Sequence, residues 1–279
     1  MTIEEFPTLL LETQGPHVLV VTLNRPEVAN AFNTQMARDL VKVFEDLALD
    51  SETIRCVVLT GAGNRAFCAG GDLKERDGMD DETWGRQHLV YERMIRAILD
   101  CPLPIIGAVN GAAYGGGCEI AAATDFVYAA DGARFALTET SLGIIPGAGG
   151  TQTLTRAIGE RRAKEYILCA KPFSAAEAME WGLVNALFPQ QRLLEVIGES
   201  GHRDVSRGME TGRFAIANQA AVGSLLSGAV IGTLSGRLEG VLDDGDLDDA
   251  VEYLLRLLGV PAAEALDIAH RPLPPLPAS

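Results

Sequence analysis

Lysine is nearly absent from this chain of 279 residues: Lys42, Lys74, Lys164 and Lys171 are the whole complement, and arginine supplies most of the positive charge. Acids outnumber bases, giving a formal net charge of −15. That balance argues against a broad electrostatic grip on nucleic acid or on an anionic membrane. An anionic ligand would need a local positive patch built against the overall field. Histidine is equally sparse. His17, His88, His202 and His270 are scattered, none at metal-ligand spacing from another His or a Cys, so no metal site is expected. Cysteine is limited to Cys56, Cys68, Cys101, Cys118 and Cys169, an odd number without a C-x-x-C pair. A chain this long needs no disulfide staples, so reduced thiols in a cytoplasmic compartment are expected. The N-terminal MTIEEFPTLLLE has neither the basic start nor the long apolar stretch of a signal peptide. No uninterrupted apolar run reaches ~20 residues, so no membrane span is expected.

What is present fits a soluble globular protein, with 47% apolar and 22% charged residues. The length suits one large domain or two small ones. A β-branched run, VLVVTLN at 18–24, reads as a strand closed by Arg25-Pro26. Asn33 or Thr34 is placed to cap a helix in which Met36, Leu40, Phe44 and Leu47 recur at helical spacing. IRCVVLT (54–60) and PIIGAVN (104–110) read as buried strands, residues 81–100 as a helix, and 61–72 as a loop. Strands follow at 125–130, 134–137 and 184–188, with helices after the turn in 143–159 and at 160–169 and 174–181. Strands and helices alternate, so the fold class is α/β.

The pattern weakens from about Gly198. DDGDLDD (243–249) holds five acids in seven residues ahead of an expected helix through Val251, Leu254, Leu255 and Leu258. Acids at a helix start are expected from the helix dipole and need no cation. The end, RPLPPLPAS, is Pro-rich and reads as extended. The division expected is therefore a core at 1–197, a mainly helical region at 198–270, and a tail at 271–279. Arg271, Pro274 and Pro277 also fit the R-x-x-P-x-x-P form of an SH3 ligand, although such runs arise readily in tails.

Two glycine-dense segments carry the chemistry. AFCAGGDL (66–73) and AAYGGGCEIAAA (112–123) each allow backbone to approach a ligand closely, and the second runs into a helix whose first N–H groups are free. One N–H from each would form an oxyanion hole for a thioester carbonyl. Glycine triplets alone are common in tight turns. Glu119 is more telling, because it sits in an almost wholly apolar helix where an unpartnered carboxylate is costly. Glu139, in FALTETSLG, is a second candidate, with a cap or an ion pair as the structural reading of equal weight. Two carboxylates beside one oxyanion hole suit proton transfer at the carbons next to a thioester.

Four segments, NRPEVANAFN (24–33), AFCAGGDLKER (66–76), GGGCEIAAATDF (115–126) and FALTETSLGIIPGAGGTQTLTRAIG (135–159), resemble the crotonase superfamily, specifically its enoyl-CoA hydratase/isomerase members. The resemblance runs from about residue 7 to 190. It implies a spiral of repeated ββα units, a homotrimer or hexamer, an acyl-CoA substrate and no metal or redox cofactor. By position it implies Gly71 and Gly116 as the oxyanion pair and Glu119 and Glu139 as the catalytic carboxylates. Ala69, Gly70 and Asp72 are implied in coenzyme A binding. Retention of both glutamates favours an enoyl-CoA hydratase, which adds water to a trans-2-enoyl-CoA to give a 3-hydroxyacyl-CoA. The alternatives are an isomerase moving the double bond of an enoyl-CoA, or a catalytically impaired acyl-CoA-binding member. Beyond about residue 195 the family pattern stops, and no lysine follows Lys171.

Overall fold

The computed structural model describes residues 6–195 and 197. The region 198–270, with its acid run and its expected helix, and the tail 271–279 lie outside the described residues.

Two sheets organise the chain. The first contains six strands in the order β1 (Leu9–Gln14), β2 (Val18–Leu23), β3 (Cys56–Gly61), β5 (Ile105–Val109), β7 (Phe126–Ala130) and β10 (Ala186–Phe188). The second contains four, β4 (Ala66–Cys68), β6 (Ala112–Tyr114), β8 (Arg134–Ala136) and β9 (Phe173–Ser174). Consecutive strands alternate between them: β3, β5 and β7 lie in the first sheet and β4, β6 and β8 in the second. Each turn of chain thus adds one parallel strand to both sheets, which is the spiral of ββα units that the sequence resemblance implies. β1 pairs antiparallel with β2, and β9 antiparallel with β8.

The central strands are apolar along their whole length, as parallel strands covered on both faces must be. In β5 every residue is buried. Helix α1 (Thr34–Leu49) starts where Asn33 accepts the Met36 N–H at 2.9 Å. Its Met36, Leu40, Phe44 and Leu47 are buried, and Met94, Ile95 and Ile98 of α3 (Asp81–Leu99) join them in one core. Asp80 caps α3 by accepting the Thr83 N–H at 2.7 Å. Helix α4 (Gly116–Ala123) is apolar on nearly all sides and almost entirely buried, as an all-round apolar helix must be. Short α2 (Leu73–Arg76), α5 (Gly150–Ile158), α6 (Glu160–Leu168) and α7 (Ala175–Glu180) complete the elements.

Four strands differ from the sequence expectation, the two-residue β9 ahead of α7 among them. The stretch 61–72, read as loop, contains β4, and the glycine segment 111–117 contains β6. Each is three residues long and rich in alanine, too short for a period-2 pattern. β1 has no counterpart in the sequence reading either; five of its six side chains are partly or fully exposed beyond a buried Leu9.

Candidate active site

The loops after β4 and β6 open onto one cavity of about 520 Å³. Ala69, Gly70, Gly71, Gly116, Glu119 and Glu139 all line it, so six of the seven residues singled out from sequence come together.

Backbone geometry leaves two N–H groups unused at this place. Gly71 forms a parallel bridge with Phe32, in which Phe32 N–H donates to the Gly70 carbonyl and Asp72 N–H to the Phe32 carbonyl. A parallel bridge of this kind engages the neighbours of Gly71 and turns its own N–H away. Gly116 is the first residue of α4, where an N–H has no partner within the helix. Gly115 before it has φ +53°, a conformation that L side chains rarely adopt. A β-carbon at Gly116 would lie 2.6 Å from ring atoms of Phe32, so that position has no space for a side chain.

The same two glycines set the carboxylates. A β-carbon at Gly115 would stand 3.3 Å from Glu139 Oε1, and one at Gly116 would stand 3.8 Å from Glu119 Oε2. The two acids therefore flank the start of α4. Glu119 is 3% exposed, and its Oε1 accepts N–H groups from Ala148 and Gly150, each at 2.8 Å. The segment before α5 thus clamps one carboxylate oxygen, and Oε2 remains toward the cavity. Burial pushes the Glu119 carboxyl up to about 7; the Gly150 N–H and the charge of Glu139 act against each other as smaller effects. Glu139 opens a short 3-10 turn (Glu139–Leu142) and is 8% exposed. Burial raises its carboxyl as well, against backbone hydrogen bonds at Glu139 and Thr138 that lower it. Its Oε2 is buried without a hydrogen-bond partner among the described residues, which suits a protonated carboxyl facing a ligand.

Asp72 takes a different place. It is not a lining residue: it caps α2 by accepting the Lys74 N–H at 3.0 Å, and it pairs with Arg25 at 2.9 Å. Its burial is offset by the Arg25 hydrogen bond and backbone amides, which together hold the carboxyl below its usual range. Asp72 therefore fixes the turn that presents Gly71.

Several lining residues were not singled out in the sequence, although Phe32 and Arg76 lie within two of the four segments that carry the resemblance. Phe32 packs edge-on against Tyr91, with ring centroids 4.8 Å apart, and forms the floor beneath Gly116. Arg76, Trp84, His88 and Tyr91 build one wall, and Leu142, Ile144, Ile145 and Pro146 an apolar one. Only the fold brings α3 and the 142–146 segment to the same cavity.

The model of the enoyl-CoA hydratase/isomerase family matches residues 13–209 of this chain. The chain belongs to that family. Among its members, the short-chain-enoyl-CoA hydratase of Clostridium acetobutylicum is 39% identical over 202 residues, which span 72% of this chain and 77% of that protein. The 1,2-epoxyphenylacetyl-CoA isomerase of Escherichia coli is 40% identical over 182 residues, 64% of this chain and 69% of that one. The crystal structure of an enoyl-CoA hydratase from Bacillus anthracis resembles the fold with a TM-score of 0.71 at 33% identity, covering 94% of this chain and 91% of that one. A second model, the C-terminal domain of tetracyclin repressor-like proteins, matches residues 167–271 and overlaps the first over 167–209.

Among the described residues, no helix is long and apolar enough to cross a membrane. Among them, too, no group of three His, Cys, Asp or Glu residues is placed to hold a metal ion.

Proposed function

We propose that this chain is an enoyl-CoA hydratase, a hydro-lyase that reversibly adds water to a trans-2-enoyl-CoA to give a 3-hydroxyacyl-CoA. The observation that carries the reading is the pair of buried glutamates, Glu119 and Glu139, on either side of Gly115-Gly116 in one cavity. An isomerase needs one such carboxylate to shuttle a proton; hydration uses two.

The thioester oxygen sits between the N–H groups of Gly71 and Gly116, where preorganised dipoles meet the negative charge of the enolate. Loss of one such donor typically costs ~3–4 kcal/mol of transition-state stabilisation. Glu119, held by two amides, presents Oε2 as the base. It takes a proton from water as the oxygen bonds to Cβ. Glu139 enters protonated and gives its proton to Cα. The product gains OH at Cβ and H at Cα, and proton exchange through bulk water restores both acids. Ala69 and Gly70 lie at the mouth as backbone contacts for coenzyme A, which is part of the substrate. The chain's own groups carry every proton, so the reaction calls for no metal or redox cofactor.

The same reading makes the protein a cytoplasmic homotrimer or hexamer with an acyl-CoA ligand. The test is purified protein with crotonyl-CoA, followed by product analysis that separates 3-hydroxybutyryl-CoA from a shifted enoyl isomer. Hydration is expected; formation of the isomer alone would reassign the reaction.

A further inference from the structure

Among the described residues lining the cavity, Arg76 is the one lysine or arginine. Its guanidinium lies 5.1 Å from the Tyr91 ring centroid and 5.7 Å from that of Trp84. Its Nε donates to Gln87 Oε1 at 2.8 Å. Gln87 is itself buried and fixed, since its Nε2 donates to Thr34 Oγ1 and to Glu75 Oε2, each at 2.8 Å. The guanidinium plane is thus clamped on one edge and stacked beside aromatics. Its two terminal nitrogens have no described hydrogen-bond or ion-pair partner. Glu75 is reached only through the Gln87 amide, so the terminal nitrogens of this oriented cation are left to receive a ligand anion.

We propose that Arg76 binds a carboxylate on the acyl tail, so that the substrates of this site are short 2-enoyl-CoA thioesters whose acyl chain ends in a carboxylate. This rests on the enoyl-CoA reading above and narrows its substrate class. An anion on this ligand has two sources, the acyl group and the coenzyme A phosphates, and position decides between them. Tyr91 links Arg76 to the reacting centre: its Cε2 is 3.8 Å from where a Gly71 β-carbon would be, and the Arg76 guanidinium lies over the same ring. Arg76 therefore stands one aromatic ring away from the oxyanion glycine, within reach of a short acyl tail. A planar guanidinium also matches a carboxylate in a bidentate manner that a point charge does not.

Binding of two unreactive thioesters tests this without turnover. Calorimetry with glutaryl-CoA and butyryl-CoA, on wild type, Arg76→Met and Arg76→Lys, compares a tail carboxylate with none. Hydrogen bonds to charged groups correspond to about a 10- to 100-fold preference. We expect wild type to prefer glutaryl-CoA by that factor, Arg76→Met to lose the preference, and Arg76→Lys to retain part of it. The ratio of kcat/KM for glutaconyl-CoA over crotonyl-CoA should fall in parallel. Equal affinity for both thioesters in wild type would overturn the proposal. So would an equal loss for both in Arg76→Met, which would assign the arginine to coenzyme A. Binding of neither thioester by wild type would instead overturn the acyl-CoA reading itself.

Discussion

The backbone N–H of Gly150 donates to Glu119 Oε1 at 2.8 Å, and a β-carbon at Gly150 would lie 2.8 Å from Glu119 Cγ. The glycine that opens α5 thus both orients the buried acid and makes room for it. Gly150→Ala should push the Glu119 side chain out of its amide clamp. Because a displacement of about 1 Å can cost ~10²-fold in rate, kcat should fall by about one to two orders of magnitude. A folded Gly150→Ala with wild-type kcat on crotonyl-CoA would break the link between this contact and the reaction.

Glu119→Gln and Glu139→Gln should each lower hydration by ~10²–10⁴-fold, since glutamine keeps the shape and cannot transfer the proton. The two acids act on one water and one substrate, so the double variant should be no more than a few-fold worse than the poorer single one. Steady-state rates on three variants decide this. Losses that simply multiply would mean the acids work independently.

The pH dependence follows from the raised carboxyls. Glu119 must be ionised to act as base, so kcat/KM for crotonyl-CoA should rise with pH through about 7. Glu139 must be protonated, and its carboxyl is also raised, so its ionisation supplies an opposing, falling limb. Stability moves the other way at Glu119. Its folded pKa lies above the ordinary value of 4.5, so the contribution is complete below that pH and is lost as pH rises through about 7. The shift corresponds to about 3 kcal/mol. Glu119→Gln should therefore be inactive yet more stable than wild type at pH 8, by about 5–10 °C in Tm. The gain should vanish near pH 4. Thermal melts at the two pH values check the sign.

Gly116→Val should abolish turnover more completely than it harms folding. The added carbon meets the Phe32 ring, and the branched side chain fills the space before the N–H. Near-normal turnover in a folded variant would remove the oxyanion donor from this residue.

Asp72→Ala should act on stability. It removes a helix cap and the partner of the part-buried Arg25, a loss of about 1–3 kcal/mol. Because the Asp72 carboxyl is held low, that stability is present above its ordinary pKa and lost as pH falls through the lowered one. Denaturant melts measure this directly. An unchanged midpoint with raised KM would place Asp72 in coenzyme A binding, as the sequence resemblance implies.

The residues legible in the sequence are those whose chemistry conflicts with their surroundings. Glu119 stands out because every neighbour in GCEIAAA is small or apolar, and Gly116 because three consecutive glycines start a helix. The amphipathic α1 and the continuous strands β3 and β5 declare themselves by pattern alone. β4 and β6 do not, because three-residue strands flanked by glycine are made by pairing with each other and not by local preference. Tyr91 carries no local signal either, and Phe32 and Arg76, though inside quoted segments, have nothing in their neighbours that marks a role. Their roles arise where α3 meets α2 and the segment before α1, which places the Tyr91 ring between a loop glycine and a cation.

The most direct measurement is the conjugated enoyl absorbance of crotonyl-CoA on mixing with the purified protein. Wild type should remove it down to the hydration equilibrium, and recreate it when started from 3-hydroxybutyryl-CoA. Glu139→Gln should do neither at a comparable rate. Stable absorbance with wild-type protein that binds crotonyl-CoA would contradict the hydratase account.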